Sequence, residues 1–275
     1  MTISTKFDFS NTDNKVHKTY DELLLPRIFL PLAEILLKHA DIKSGNHVLD
    51  VACGPGTVSR LAALETGAKG RVLGLDISSS MLEVAKGKPP VAESAEIEFE
   101  ESPASPLNIP DNTFDISLCQ QGLQFFPDRV QALKEMVRVT RPGGKIIIAV
   151  WGPLESCTIF HKLYQAMSES IPEEIADLLH APFSLHNKEE IKNLAYCTGI
   201  ENHQIETVTL PLVFEQGIKQ AIRVLEATPF YPQIRELDPT VQEKLSFALN
   251  GKLEPLLQEG KVHGQMVSRI ISIMN

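Results

Sequence analysis

VLDVACGPG, residues 48–56, is an apolar run that ends in an acid and breaks directly into a glycine-rich turn. Val48, Leu49 and Val51 read as a short buried strand, Gly54-Pro55-Gly56 as the tight turn after it, and Thr57 to Leu64 as the start of a helix. Two glycines let the backbone approach a ligand closely, and the helix N-terminus offers free N–H groups and partial positive charge to an anionic group. About twenty residues further on, a second apolar run, RVLGLD (71–76), ends in Asp76, where a carboxylate can take both hydroxyls of a ribose. The spacing implies a ligand that contains a nucleoside.

What the turn lacks narrows that ligand. A dinucleotide turn reads G-x-G-x-x-G, and here the third position is Ser59. Asp50, at the end of the first strand, would repel a pyrophosphate but suit an ammonium and a sulfonium. These residues favour S-adenosylmethionine over NAD. With GLDISSSML (74–82), LNIPDNTFD (107–115) and EMVRVTRPGGKI (135–146) following in order, the chain resembles the class I S-adenosylmethionine-dependent methyltransferases. The likeness is to their small-molecule branch near the ubiquinone/menaquinone C-methyltransferases (methyltransferase type 11). It is strong over about residues 45–151. It implies an α/β fold: a Rossmann-like, seven-stranded, mostly parallel sheet with helices on both faces and its last strand antiparallel.

The chain of 275 residues is long enough for one large domain or a domain with a cap. A formal net charge of -9, without a Lys/Arg cluster, argues against nucleic acid as a partner. The N-terminal MTISTKFDFSNTDNK lacks the apolar core of a signal peptide, and no apolar run is long enough to span a bilayer. A cytoplasmic protein, monomer or homodimer, acting on a small-molecule acceptor without membrane insertion is the expectation. Cys53, Cys119, Cys157 and Cys197 show no C-x-x-C spacing, so zinc and disulfides are not expected; all four read as small buried apolar residues.

Alternating patterns predict strands near 47–52, 71–76, 96–100, 114–119, 144–151, 203–214 and 266–274. Helices are predicted near 57–66, 79–87, 128–140, closed by Pro142-Gly143-Gly144, and 187–197, capped by Asn187. The cofactor domain is expected to comprise 35–151, 187–214 and 263–275. Residues 1–34, 152–186 and 215–262 would form an N-terminal arm and a helical cap built from insertions. Their apolar stripes, such as Ile159, Phe160, Leu163, Tyr164 and Met167, suit packing, and insertions after strands five and six fall near the ligand edge of an open sheet. The arm has few obvious anchors and is expected to be mobile until a ligand binds.

The resemblance also implies roles: Asp50 and the Ala52 carbonyl near the methionine amine, Gly54 and Gly56 for close approach, Asp76 on the ribose, Ile77 and Met81 against adenine. Family members carry an acid where this chain has Pro103, so adenine recognition would pass to the Ala104 N–H, with Glu101 or Ser105 supplying the polar contact. CQQGLQFFPD (119–128) lacks the Asn-Pro-Pro-Tyr of amino-methylating enzymes, leaving Gln120, Gln121 and Gln124 as polar candidates beside the methyl group. No catalytic base stands out. His161, Tyr164 and His186 are candidates, although a lone histidine on such a helix is more often a packing or surface residue. Tyr20 resembles an N-terminal aromatic that closes over the cofactor; a core role fits it equally. The expected activity is methyl transfer to O, N or C of a small, largely apolar metabolite. A catalytically silent S-adenosylmethionine-binding regulator and an NAD-dependent oxidoreductase are the alternatives.

Overall fold

A computed structural model describes residues 14–199 and 202–275; residues 1–13, part of the expected arm, lie outside them. The chain begins with α1 (Asn14–Thr19), a π-helical segment Tyr20–Phe29 and α2 (Leu30–Ala40). Then come β1 (His47–Val51), α3 (Thr57–Thr66), β2 (Arg71–Asp76), α4 (Ser79–Gly87), β3 (Glu96–Glu101), β4 (Phe114–Gln120), α5 (Arg129–Val139) and β5 (Thr140–Trp151). The remainder is α6 (Thr158–Ser170), α7 (Glu173–Ala176), α8 (Lys188–Tyr196), β6 (His203–Phe214), α9 (Gly217–Ile222), α10 (Tyr231–Arg235), α11 (Pro239–Leu253), the two-residue β7 (Leu257–Gln258) and β8 (Lys261–Met274).

The strands are ordered β3-β2-β1-β4-β5-β8-β6, with β7 paired to β8. The pairs β1–β2, β1–β4, β2–β3 and β4–β5 are parallel. Between β5 and β8 the bonds Gly143 N to Asn275 O and Gly152 N to Val267 O run in opposite chain directions, so β8 is antiparallel to β5. The expected sheet is present, with one short extra strand.

The chain divides into two compact units. One comprises Leu30–Val150, Leu185–Val208 and Ser268–Asn275, the other Met1–Phe29, Trp151–Ser184 and Thr209–Val267. The divide runs through β6 and β8. In the first unit β1 is buried along Val48–Val51, as a parallel strand covered on both faces must be. Leu49 and Val51 join Leu133, Met136 and Val139 of α5 and Ile191 and Ala195 of α8 in one core. The buried stripes of α2 (Leu32, Ala33, Leu36, Leu37) and α3 (Val58, Ala62, Ala63) pair these two helices, with alanines permitting close approach.

In the second unit α6 packs on α11. Ile159, Leu163, Ala166 and Met167 form one buried stripe, and Leu245, Leu249 and Leu253, at a spacing of four, form the other. The segment around Tyr20 does not have few anchors, as expected from its sequence: Val16, Leu23, Leu24 and Ile28 are buried. Pro26 removes a backbone donor there, and Arg27 Nη1 serves the Glu22 and Leu23 carbonyls instead, at 3.2 and 3.1 Å.

Three other expectations are corrected. Pro142-Gly143-Gly144 does not close a helix: α5 ends at Val139, and these residues lie inside β5, where the register with β4 slips between Phe114 and Ile116. A Cβ on Gly144 would stand 2.6 Å from the Asp115 carbonyl, so the bulge needs glycine. The last strand starts at Lys261, five residues before the apolar run at 266 that marks it in sequence. Cys197 is exposed, while Cys53, Cys119 and Cys157 are buried; all four are free thiols.

Phe99 of β3 lies against Gly74 of β2, where an added Cβ would meet its ring at 2.7 Å. Gly74→Ala is therefore expected to destabilise by about 1–3 kcal/mol through overpacking. Gly87→Ala, with nothing within 4 Å at the end of α4, should be neutral or stabilise by up to about 1 kcal/mol. Urea denaturation of both variants reads the difference in sign.

Candidate cofactor and active site

β1 and β2 end side by side, with Val51 opposite Leu75, and the Cys53 N–H donates to the Leu75 carbonyl at 2.9 Å. The chain then turns through three left-handed residues, Ala52 (φ 59°), Gly54 (φ 53°) and Gly56 (φ 76°). At Ala52, which has a Cβ, this conformation costs about 1–2 kcal/mol, a strain typical of functional turns. Gly56 is hemmed in, since a Cβ would stand 2.8 Å from the Phe99 ring, whereas nothing lies within 4 Å of a Cβ on Gly54. Tight packing thus holds one glycine while open space lies over the other. The Asp76 carboxylate braces this turn: Oδ2 accepts from Gly54 N and Oδ1 from Ser78 N, both at 2.8 Å. Ser78 in turn caps α4, its hydroxyl accepting from Met81 N at 3.3 Å. Burial raises the Asp76 pKa, and N–H donors from Ser78, Gly54 and Ile77 pull it back. Each carboxylate oxygen keeps a lone pair for a ligand hydroxyl.

Asp50 is 1% exposed. Its Oδ2 accepts from Ser59 Oγ at 2.6 Å, and its buried Oδ1 has no partner among the described residues. Burial lifts its pKa to about 7, against the Ser59 hydrogen bonds, with the nearby Asp76 adding to the rise. Burial also raises the Cys53 thiol, and pushes Cys119 up to about 12, so neither is a thiolate near neutral pH. Thr57, the first residue of α3, has a buried hydroxyl without a partner. An orphaned carboxylate oxygen and an orphaned hydroxyl at a helix N-terminus flank an open glycine turn. Those are the complements of an α-ammonium and an α-carboxylate, the amino-acid end of S-adenosylmethionine, and the residues present fit that group. Sequence reasoning missed Thr57, for which the helix start at 57 was the available signal. It also missed the bond that makes Ser59 more than a failed glycine.

The other expected contacts lie around these. Ile77 is 70% exposed just beyond β2, an apolar surface free for a flat ring, and Met81 is buried on α4. Ser102 N donates to the Asp76 carbonyl, carrying the β2–β3 pairing one residue past β3. Pro103 and Glu101 are exposed, Ala104 and Ser105 half-buried. At the end of β4, Gln120 is half-buried and Gln121 is left-handed (φ 59°). Gln121 N donates to the Ala149 carbonyl, and a Cβ on Gly122 would stand 2.6 Å from the Ala52 Cβ, so this loop sits tightly on the cofactor turn. Gln124 Nε2 donates to Gln121 Oε1 at 3.0 Å, the Gln124 carbonyl accepts from Arg129 Nη2 at 2.8 Å, and Arg129 pairs with Glu190 at 2.9 Å.

The candidate bases are divided between the two units. His186 is exposed, and its carbonyl accepts from Arg269 Nε at 2.7 Å. His161 and Tyr164 belong to the other unit. There His161 Nε2 lies 2.9 Å from Gln165 Nε2. Tyr164 donates to Asp177 Oδ1 at 3.1 Å, with its ring edge-on to His180. Burial and Asp177 raise the Tyr164 pKa, which makes it a poor base. Tyr20, in the same unit, stacks on Phe29, whose ring meets Trp151 edge-on. The described residues hold no group of three or more His, Cys, Asp or Glu side chains placed for a metal ion, and no helix long and apolar enough to cross a membrane.

Comparison with known proteins agrees with this fold. Residues 49–148 match the methyltransferase domain family. The chain is 35% identical over 144 residues to a ubiquinone/menaquinone biosynthesis C-methyltransferase from Bdellovibrio bacteriovorus, covering 52% of this chain and 60% of that protein. It is 35% identical over 136 residues to a demethylmenaquinone methyltransferase from Geobacillus, covering 48% and 58%. The matched region thus spans less than two thirds of these relatives. Among solved structures, phosphoethanolamine N-methyltransferase 2 of Haemonchus contortus, with phosphomonomethylethanolamine and S-adenosylhomocysteine bound, superposes with a TM-score of 0.60 at 18% identity. It covers all of this chain and 60% of that one. The YcgJ protein of Bacillus subtilis gives 0.57 at 19%, covering 88% and 97%. At such identities the likeness is one of fold. Motif order, sheet order and family match converge: residues 49–148 are similar to the methyltransferase domain family and lie in a Rossmann-like, mostly parallel sheet.

Proposed function

We propose that this protein transfers the methyl group of S-adenosylmethionine to a small, largely apolar acceptor. The observation that carries the reading is the open, left-handed turn at Gly54, braced by Asp76 and bordered by the buried Asp50. When bound, the cofactor supplies an electrophilic methyl group on a sulfonium. Asp50 Oδ1 and Thr57 Oγ1 hold the amino-acid end, Asp76 takes the ribose hydroxyls, and the exposed Ile77 and buried Met81 flank the base. With Pro103 in place of an acid, the Ala104 N–H and Ser105 are left to serve the adenine.

Methyl displacement needs the acceptor atom held in line and water kept out, and a base only where the acceptor must lose a proton. The residues at the end of β4 suit the first task. Gln121 and Gln124 are buried neutral amides with their backbones pinned, whereas Asp50 and Asp76 are engaged with the cofactor groups. This favours an acceptor that is nucleophilic on arrival. Acceptor selectivity is assigned to the chain outside residues 49–148, in the segments 152–186 and 215–262, because the matched region is occupied with cofactor groups. Turnover of labelled S-adenosylmethionine with a panel of small apolar acceptors tests the activity; binding without turnover of any acceptor would instead favour a silent binding protein.

Asp76→Ala is expected to weaken S-adenosylhomocysteine binding by about 1–3 kcal/mol, because the ribose loses a charged acceptor. Gly54→Val should abolish binding, its side chain filling the open space over the turn. Calorimetry checks both; unchanged affinity in either variant removes the cofactor from this turn. Asp50→Asn should raise the melting temperature of the ligand-free protein at pH 8. There the unfolded carboxyl is ionised at no cost and the buried one at a penalty. The gain should fade as pH falls from about 7 towards 4, where Asp50 is protonated in both states. Thermal melts across that range measure it.

A further inference from the structure

Ser59 stands where a dinucleotide turn would carry its third glycine, and it is fully buried. Its hydroxyl donates to Asp50 Oδ2 at 2.6 Å and its backbone N–H also serves this carboxyl, while Oδ1 is left buried without a partner among the described residues. Among the described residues no cation compensates the group. The titratable side chains that face it are Asp76 from the end of β2, Cys53 from the turn and Cys119 from β4; α3 contributes the neutral Ser59. Two of these are thiols that stay protonated and the third is another acid. A carboxylate in such a setting is expensive, and burial pushes the Asp50 carboxyl up to about 7.

We propose that Ser59 is the positioning residue of the cofactor site: by occupying Asp50 Oδ2 it reserves Oδ1 for the ligand's ammonium, so that cofactor capture and proton release from Asp50 are one event. Resting on the binding mode proposed above, it adds that the site is gated by a proton. The balance is simple. Protonated Asp50 and a ligand ammonium combine into an ion pair, and one proton leaves to solvent. Nothing is oxidised or reduced. A raised carboxyl pKa in the free protein, about 7, places the change near neutrality.

The test uses the full chain, S-adenosylhomocysteine, and 5′-methylthioadenosine, which keeps the nucleoside and sulfur but lacks the amino-acid end. Titration calorimetry at pH 5.5 to 8, in two buffers of different ionisation enthalpy, reads affinity and proton release together. For S-adenosylhomocysteine the affinity should rise by up to about tenfold per pH unit below 7 and level off above it, with protons released. Methylthioadenosine should bind with no such dependence. In Ser59→Ala the lost donor moves the Asp50 transition upwards, so S-adenosylhomocysteine affinity at pH 7 should fall about tenfold and recover towards pH 8, with methylthioadenosine unaffected. A merely structural serine would weaken both ligands at every pH. Asp50→Asn should bind S-adenosylhomocysteine weakly and without pH dependence. Wild-type binding of S-adenosylhomocysteine that is flat in pH and independent of buffer overturns the proposal; failure of both ligands to bind overturns the cofactor reading beneath it.

Discussion

The geometry of the cofactor unit depends on one constraint: the chain must leave β1 and enter α3 through three left-handed residues within five, beside the end of β2. A polypeptide does not hold that path unaided. It is fixed from one side by the Phe99 ring, which leaves no room for a Cβ on Gly56 or Gly74, and from the other by Gly122, whose missing side chain lets the loop after β4 close on Ala52. Asp76 adds the polar brace from Gly54 N to Ser78 N, so the same carboxylate that would read a ribose also sets the turn and starts α4. Strain at Ala52 and Gln121 is sustained because three strand ends determine these positions jointly.

That arrangement also explains the electrostatics. Packing parallel strands on both faces puts Asp50 in a core where an acid is out of place, with one serine as its donor. Asp76, two strand positions nearer the surface and served by three N–H groups, is the better solvated of the pair. The two acids therefore differ in kind: one is a rigid acceptor, the other a buried group waiting for a countercharge. Both thiols nearby stay neutral, so a positively charged cofactor would meet carboxyls only.

Outside residues 49–148 the described chain consists mainly of α1, α2, α6 to α11 and β6 to β8, with ordinary apolar stripes such as those of α6 and α11. Two of its polar pairs are local, Tyr164 with Asp177 and His161 Nε2 with Gln165, while His161 Nδ1 and Ser170 Oγ are buried without a partner among the described residues. The match to the methyltransferase domain family ends at residue 148, before α6.

The sequence by itself determined the cofactor half of the protein. Strands and helices from His47 to Val139 follow from patterns whose periods are local, and the glycine turn, Asp50 and Asp76 are legible because one strand end after another presents them at fixed spacing. Asn187 as a helix cap is legible for the same reason: its carboxamide meets N–H groups two and three residues away. What only the tertiary structure decided involves partners distant along the chain or burial that no local pattern reveals. The bulge at Pro142-Gly143-Gly144 exists because β5 must re-register on β4. The early start of β8 at Lys261 comes with its pairing to β7, through polar residues that carry no strand signal. The raised Asp50 pKa depends on how completely β1 is covered, and which unit His186, His161 and Tyr164 each belong to is set by long-range contacts. Local pattern names the residues of a site; burial, set by the whole fold, decides their charge.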